Sequence, residues 1–558
     1  MKPSSLNALA LLVIAALTLT SCAKLPTVSE VRVGSDIQSE LSSDYLYYSP
    51  SDPSVDATQQ EILDGFLNAA TGPQNDYEVA RKYLSGEIAS GWNPSAELLV
   101  GNTKPVVSIS GTNDATVTFE ASARVDELGR YQELVPSISR VLNFRFVIEN
   151  GEWRISQAPN VTVLVRPIFD VLFRSYSLYF YDNQERYLVP DTRWFATRIS
   201  TSTRLASALL SGPDFWLRDA VKSAFPIGTQ LALDSVLVQD GVAIVDLDGS
   251  ANSTTVSQRQ RMLVQLTATL TQLPSVFAVQ IKIDGVPQNI TNLPYQVSLA
   301  NNPDPIVLTA DGFRQLSINA TPMTRASEAA KAWRAYDFAI NNQQTLLALL
   351  GPQGVGLSRL VGGKSETVVI DSRPDLLAPV IDPQGYIWTL GSLSASELAA
   401  HDSSGNQRFV TLGWLGQAEH LGFSISREGS RIAFLLGNPG SARIYVAAIV
   451  RDEDGAPVAL STPIRLGLAE RPAGSIAFID ETTVATIARL DSGLTYPLYL
   501  KIGGQPKRLA PVADARATVS NGSAAPAYAL DSNQELSLLR SLTWIKIAKD
   551  ILAIHFSG

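Results

Sequence analysis

The stretch FSISREGSRIAFLL (residues 423–436) places two strand-like apolar runs on either side of a polar turn. Similar strand–turn–strand stretches begin at residues 337, 379, 476 and 518. A spacing of about 40 to 50 residues with about four strands per repeat is typical of a β-propeller. Residues 301–558 are therefore predicted to form about six blades, and the spacing is also compatible with five or seven. The closing segment, 541–558, is expected to complete a blade that begins at the start of this domain.

Upstream of the propeller, residues 166–300 are predicted to form a compact α+β domain. A helix should end at Leu210, because Ser-Gly-Pro follows at 211–213. Asp240-Gly241 predicts a hairpin turn between two alternating runs. A second helix, at about 258–272, should bury one apolar face, and an alternating strand follows it. The predicted order is helix, hairpin, helix, strand.

Residues 46–165 are predicted to form another α+β domain, in which a cone-like sheet wraps on a helix. Apolar residues over 61–70 recur at helical spacing, a second short helix is expected at 76–85, and alternating strands follow. Asn150-Gly151 predicts a hairpin between the last two strands. Trp153 is either a pocket residue or part of the core, and we favour the core. The fold class is thus multidomain, with two α+β domains before an all-β propeller.

The beginning of the chain carries a targeting signal, predicted to occupy residues 1–21. Lys2 precedes an apolar run of about 14 residues, shorter than the roughly 18 to 20 that cross a bilayer. The run ends in Leu19, Thr20, Ser21 and Cys22, which resemble a lipobox, and Cys22 is the only cysteine. Cys22 is therefore the expected lipid attachment site. The polar stretch 22–45 would tether the protein to the outer face of the cytoplasmic membrane.

Charge and side-chain chemistry narrow the function classes. The chain has 44 basic and 53 acidic side chains, a net charge of −9, which is unfavourable for binding nucleic acid. His401 is predicted in a polar turn, His420 before a strand and His555 in the final strand. No Gly-x-Ser-x-Gly motif accompanies them, and one cysteine cannot build a zinc cluster. We expect neither an enzyme nor a bound cofactor or metal.

Two further motifs resemble binding or catalytic sites, but local structure explains each of them better. Residues 358–365 end in Gly-Gly-Lys-Ser like a phosphate-binding loop, but a strand-like segment follows where that motif requires a helix. Asp246 and Asp248 stand where a strand ends before Gly249. They could bind a metal or act as acid and base, and we favour a role in an Asx-type turn.

The middle segment resembles the GerMN domain family of spore-germination and cell-envelope proteins. The matching residues are 210–213, 226–229, 241–247, 265–270 and 283–285. With the lipobox, the stretches GFLNAATG (65–72) and ARKYLS (80–85), and propeller residues 426–434 and 477–480, the whole chain resembles the actinobacterial LpqB lipoprotein family.

That resemblance implies a function in cell-envelope homeostasis and division. Members are associated with the MtrA/MtrB two-component system, so the implied partner is the extracytoplasmic domain of the sensor histidine kinase MtrB. The alternative is a carrier of a cell-wall glycan or lipid, held by the N-terminal domain, without kinase contact. The binding face, the ligand and the sign of regulation stay open at this stage.

Overall fold

The structure is a computed structural model. It describes residues 50–72, 74–198, 200–295, 303–317, 320–361, 366–393, 397–410, 414, 418–438, 441–467, 470–522 and 524–558. The predicted signal peptide, the tether, and Cys22 with Leu19, Thr20 and Ser21 lie outside these residues, as do the glycines of the discarded phosphate-loop motif.

The N-terminal domain wraps a six-stranded sheet around helix α1. Thr58 caps this helix, since its hydroxyl accepts from the Glu61 backbone N–H and the Glu61 carboxylate accepts from that of Thr58. The sheet order is β5-β4-β3-β1-β6, with β2 paired to the free half of β3. The elements are α1 (Gln59–Ala69), a 3₁₀ turn (Gln74–Asp76), α2 (Glu78–Arg81), α3 (Gly86–Ala89), β1 (Glu97–Gly101), β2 (Val106–Ser110), β3 (Asp114–Asp126), β4 (Tyr131–Glu149), β5 (Glu152–Gln157) and β6 (Thr162–Val165).

Two predictions for this domain are confirmed. The β4–β5 hairpin turns at Asn150 (φ 53°) and Gly151 (φ 85°), which is the left-handed pair that a two-residue turn requires. Trp153 is half-buried, and its ring meets the edge of Phe146 with 6.4 Å between ring centroids. Trp153 therefore belongs to the core.

The middle domain contains the predicted helices and hairpin. Helix α5 ends at Leu210, the β10–β11 hairpin turns at Asp240-Gly241, and α6 buries Met262, Leu266 and Leu270. Strands β11 and β12 pair in parallel in the order β10-β11-β12-β13. The elements are α4 (Arg166–Leu172), β7 (Phe173–Asp182), β8 (Leu188–Ala196), α5 (Thr201–Leu210), β9 (Val221–Lys222), β10 (Leu237–Gln239), β11 (Val242–Leu247), a 3₁₀ turn (Gly249–Ser253), α6 (Val256–Leu270), β12 (Ala278–Ile283) and β13 (Val286–Pro287).

A second sheet in this domain, β8-β7-β9, was not predicted. Nearly every residue of β8 is buried, including Asp191 and Arg193. A strand buried on both faces shows no alternation of apolar and polar residues, so periodicity does not reveal it.

The third domain is a β-propeller with six blades among the described residues. Five blades follow one another along the chain, and the sixth pairs the last strand, β37 (Ile551–His555), with β14 (Ile306–Thr309) near the start of the domain. This closure confirms the expectation for the last strand of the final segment, whereas the strand before it, β36 (Thr543–Ala548), completes the fifth blade.

The propeller elements run in chain order from the first strand of the closing blade. They are β14 (Ile306–Thr309), β15 (Gly312–Gln315), α7 (Thr324–Trp333), β16 (Asp337–Ile340), β17 (Leu346–Gly351), β18 (Gly354–Arg359), β19 (Thr367–Asp371), β20 (Val380–Ile381), β21 (Ile387–Thr389), β22 (Leu398–His401), β23 (Gln407–Val410), β24 (His420–Ile425), β25 (Arg431–Leu436), β26 (Arg443–Arg451), β27 (Pro457–Leu460), β28 (Ile464–Arg465), β29 (Arg471–Phe478), β30 (Thr483–Arg489), β31 (Thr495–Lys501), β32 (Pro506–Arg508), β33 (Ala515–Ser520), β34 (Ala527–Asp531), β35 (Leu536–Arg540), β36 (Thr543–Ala548) and β37 (Ile551–His555).

The prediction for His401 was wrong. It ends strand β22 with its side chain fully buried, and the polar turn begins one residue later, at Asp402. His420 begins β24 and His555 ends β37, as expected. Within the described ranges, no helix has the length and hydropathy needed to span a membrane.

Candidate functional site

A cleft of about 870 Å³, here called the junction cleft, lies where the three domains meet. The N-terminal domain contributes the β3–β4 region around Arg130, and the middle domain contributes β8 and the loop at 214–216. The propeller contributes residues 463–467 and 500–504. Its size lies in the range of small-molecule sites, which often form between domains.

Direct hydrogen bonds between domains hold the walls of the cleft together. The Trp194 indole Nε1 of the middle domain donates to the Gly503 carbonyl of the propeller at 2.8 Å. Arg431 Nη1 of the propeller donates to the Pro190 carbonyl at 3.1 Å. The Trp194 backbone N–H also donates to the Gly129 carbonyl of the N-terminal domain at 2.7 Å. Trp194 therefore connects all three domains beside the cleft.

Paired charges form one wall of the junction cleft. Arg193 donates to both carboxylate oxygens of Asp191 at 2.7 Å, and both side chains are buried. Burial raises the pKa of Asp191, and Arg193 opposes that rise. Arg130 of the N-terminal domain forms ion pairs with Asp214 at 3.0 Å and with Asp126 at 3.3 Å. The first of these pairs joins two domains.

A second polar group lies on the N-terminal side. Arg166 forms an ion pair with Glu133 at 3.2 Å and donates to the Tyr131 hydroxyl at 2.9 Å, while that hydroxyl donates to Glu133. Burial raises the pKa of Tyr131, and the neighbouring Glu133 raises it further. Tyr131 therefore stays protonated at neutral pH and acts as a hydrogen-bond donor.

Three cations line the cleft without a carboxylate within 4.0 Å among the described residues: Arg124, Arg465 and Lys501. Lys501 Nζ donates to the Ser175 hydroxyl at 3.0 Å, and burial lowers the pKa of Lys501. Thr192 also lines the cleft, and its buried hydroxyl has no hydrogen-bond partner among the described residues. These groups can donate to an anionic or hydrogen-bond-accepting ligand.

None of these residues was predicted from the sequence to belong to a binding site. The available signal was Asp191-Thr192-Arg193 inside an otherwise apolar strand, because charged residues are almost never fully buried unless they are paired. The partners come from segments as far apart as Trp194 and Gly503, 309 positions along the chain. That juxtaposition could not be inferred from spacing.

The three histidines each contact a different set of polar groups within the propeller. His401 Nε2 lies 3.0 Å from the Thr389 hydroxyl and 3.8 Å from Asp371. His420 Nδ1 lies 2.7 Å from the Gly391 carbonyl. His555 Nε2 lies 2.7 Å from Asp337 Oδ1 and joins the last inner strand to the first blade.

The aspartates of the middle domain form hydrogen bonds at turns, but these are not the local Asx-type turn that was predicted. Asp246 Oδ1 accepts from the Gly285 backbone N–H at 2.9 Å. Asp248 precedes the 3₁₀ turn and accepts from the Ser250 hydroxyl at 2.5 Å. Across the part of the chain that the structure describes, no group of three or more His, Cys, Asp or Glu side chains is arranged to hold a metal ion.

Family models match three consecutive segments of the chain. The N-terminal domain model of Lipoprotein LpqB matches residues 52–170, a model described as sporulation and spore germination matches 177–289, and the Lipoprotein LpqB beta-propeller model matches 317–551. Among solved structures, the first GerMN domain of the sporulation protein GerM from Bacillus subtilis is similar at 24% identity with a TM-score of 0.18, covering 23% of this chain and 97% of that one.

Similarity to named relatives extends over most of the chain. Lipoprotein LpqB of Bifidobacterium longum is 25% identical over 78% of this chain and 77% of the relative. Lipoprotein LpqB of Streptomyces coelicolor is 24% identical over 96% of this chain and 95% of the relative. The three matched domains and these relatives together place the chain in the LpqB lipoprotein family.

Proposed function

We propose that this lipoprotein is an accessory modulator of an MtrB-type sensor kinase in cell-envelope homeostasis and division. It would be anchored through Cys22 to the outer face of the cytoplasmic membrane and contact the extracytoplasmic domain of the kinase, without catalysis of its own. The family resemblance supports this proposal. A tether on the same membrane as the partner raises the effective concentration of the pair, so a weak contact suffices for regulation.

One observation carries the proposal: a sheet of the middle domain has a face on which, among the described residues, large apolar side chains stay exposed. Leu237, Ile244 and Gln280 are cross-strand neighbours on β10, β11 and β12, so their side chains share this face. Helix α6 packs on the opposite face, where Ala243, Val245 and Leu247 are buried. We call the side opposite α6 the outer face of the middle domain.

Large apolar side chains are exposed on the outer face and at its rim. The Leu237 side chain is 59% exposed, although it lies inside a strand. Phe277 is also exposed, and its ring lies over Gly241 at the end of the same sheet. Grouped exposed apolar residues with polar neighbours such as Gln280 are typical of protein-binding surfaces.

The test is a binding measurement between the full-length lipoprotein in detergent micelles and the purified extracytoplasmic domain of the kinase. Leu237→Asp should weaken binding about tenfold or more, because it puts a charge into an apolar contact. Leu542→Asp is the matched control, since Leu542 is a leucine of the propeller with 83% exposure. Kinase autophosphorylation in vesicles, with and without each variant, gives the regulatory readout.

Equal binding by the two variants would show that the kinase does not bind at the outer face. Absence of binding by the unsubstituted protein, together with unchanged autophosphorylation, would refute the kinase proposal.

A further inference from the structure

We infer that the junction cleft binds a small molecule that carries several negative charges on phosphate or carboxylate groups. This inference goes beyond the proposed function, because it concerns a soluble ligand and a site distinct from the outer face. It rests on the charges that line the cleft, on a buried hydroxyl without a partner, and on the size of the cavity.

The first observation is that every acidic side chain of the cleft lies beside an arginine, with four arginines shared by five carboxylates because Arg130 pairs with two of them. Among the described residues, each of the five carboxylates in its lining has an arginine within 3.3 Å. The pairs are Glu97–Arg140, Asp126–Arg130, Glu133–Arg166, Asp191–Arg193 and Asp214–Arg130.

The second observation is a surplus of positive charge: three cations take no part in these pairs, against one carboxylate charge that the shared Arg130 leaves uncompensated. Arg124 of the N-terminal domain donates to Gln132 at 2.9 Å, and Lys501 of the propeller donates to Ser175. Arg465 is exposed on β28. None of the three has an ion pair in the described part of the chain, although the whole protein has a net charge of −9. A concave surface with surplus positive charge concentrates anions.

The pKa of Lys501 shows that one of these positive charges is unfavourable in its surroundings. Burial lowers the pKa of Lys501 more than the attraction of Asp480 raises it, so its charged form is costly to keep. An anion that reaches Nζ would remove that cost and would be held by a charge-assisted hydrogen bond. The cation is thus better satisfied with a ligand than without one.

The third observation is the hydroxyl of Thr192 on β8. Thr192 is 6% exposed and lines the same cleft, and its Oγ1 has no hydrogen-bond partner within the described ranges. Buried hydroxyls in proteins nearly always have a partner, so an unpaired one at a cavity wall indicates a place for a ligand atom. Thr192 belongs to the middle domain, and each of the three domains therefore offers a donor.

The cavity is large enough for more than a single ion. About 870 Å³ matches a molecule of several rings or sugar units, and the lining mixes charged groups with apolar residues such as Ile464 and Trp216. A ligand bound there would contact all three domains at once. Its binding should therefore raise the unfolding temperature of the protein.

The experiment is isothermal titration of the full-length protein in detergent micelles with two probes, inorganic pyrophosphate and citrate. The two arms distinguish a phosphate ligand from a carboxylate ligand. At low ionic strength we expect at least one probe to bind and to raise the unfolding temperature. Lys501→Gln and Arg465→Gln should each weaken that binding about tenfold, because each removes a charge-assisted contact.

Matched controls lie on the propeller surface away from the cleft. Lys549→Gln and Arg314→Gln remove the same charges from exposed positions and should leave the affinity within about twofold. Arg465 is itself exposed, so Arg465→Gln is expected to fold normally and keeps the test valid if Lys501→Gln does not.

Two results would overturn the inference. The first is no heat and no thermal shift with either probe. The second is binding that the cleft variants and the surface controls weaken equally, which would indicate general attraction to basic side chains. A ligand effect on kinase binding is not required, so failure of the kinase contact and failure of this site are distinguishable.

Discussion

The propeller and the junction cleft both contain buried charged groups, but the neighbours of these groups differ. In the propeller, Asp371 accepts from Arg373 at 2.6 Å and from the Thr389 hydroxyl at 2.5 Å, and the His401 ring lies 3.8 Å away. In the junction cleft, Lys501 forms no ion pair with a described carboxylate, and the buried Thr192 hydroxyl has no hydrogen-bond partner among the described residues. A buried carboxylate that is hydrogen-bonded and ion-paired stabilises the fold, whereas a cation without an ion pair beside a cavity is available to a ligand.

The largest expected effect comes from breaking the propeller cluster. Asp371→Asn should lower the free energy of unfolding by about 3 to 5 kcal/mol, because the variant leaves Arg373 without its buried counter-charge. Urea-induced unfolding measures the change. Asp491→Asn is the control: Asp491 is 89% exposed beside Arg471, and its loss should cost about 1 kcal/mol or less. Similar costs for the two variants would contradict the structural role of Asp371.

The same carboxylate predicts a pH dependence. Burial alone would raise the pKa of Asp371, but the His401 ring and the hydrogen bonds from Arg373 and Thr389 hold it well below its usual range. Its stabilisation is therefore present above the unfolded pKa of about 4 and is lost as the pH falls towards the folded value. The stability difference between the unsubstituted protein and Asp371→Asn should stay constant from neutral pH to about pH 5 and shrink below about pH 4.

A smaller effect is expected from loosening the wall of the cleft. Trp194→Phe keeps an aromatic ring beside Phe169 but removes the hydrogen bond to Gly503, at a cost of about 1 to 2 kcal/mol. Amide hydrogen exchange over residues 500–504 should become faster. Trp544→Phe loses a comparable bond to Ala510 within the propeller and should leave that exchange unchanged. Unchanged exchange in both variants would show that Trp194 does not hold the domains together.

Lys501→Gln complements Asp371→Asn, because the expected change in the free energy of unfolding has the opposite sign. In buffer without multivalent anions, the variant should be as stable as the unsubstituted protein or more stable by up to about 1 kcal/mol, since it removes a partly desolvated charge whose burial outweighs the attraction of Asp480. Thermal unfolding measures the shift, with Lys549→Gln as the surface control. A clear loss of stability would mean that Lys501 has a structural partner role like that of Arg373.

The smallest effect is expected at the unpartnered hydroxyl. Thr192→Val removes Oγ1 with little change of shape, and the free energy of unfolding should change by less than about 0.5 kcal/mol. Thr389→Val makes the same substitution where the hydroxyl donates to Asp371, and should cost about 1 to 3 kcal/mol. Urea unfolding of the two valine variants tests whether the two regions differ as the structure indicates.

Local patterns in the sequence determined much of the fold. Strand–turn–strand repeats such as 423–436 predicted the propeller, and the Asn-Gly and Asp-Gly pairs at 150 and 240 located two hairpins. The stop at 211–213 ended a helix where predicted. These features succeed because turn geometry and amphipathic spacing act over a few neighbouring residues. Strand β8 and the position of His401 in a strand were not predicted, because burial on both faces removes the alternation of apolar and polar residues that marks a strand.

The junction cleft, by contrast, was decided by tertiary structure alone. Its donors, Arg124, Thr192, Arg465 and Lys501, come from three domains, and no short-range pattern relates their positions. Whether a charge is paired depends on which side chains the packed domains bring within about 4 Å, since ion pairing is a short-range effect in water. The sequence by itself therefore determined the domains, their order and the expected anchor at Cys22, whereas the packing of those domains determined which charges stay free to bind.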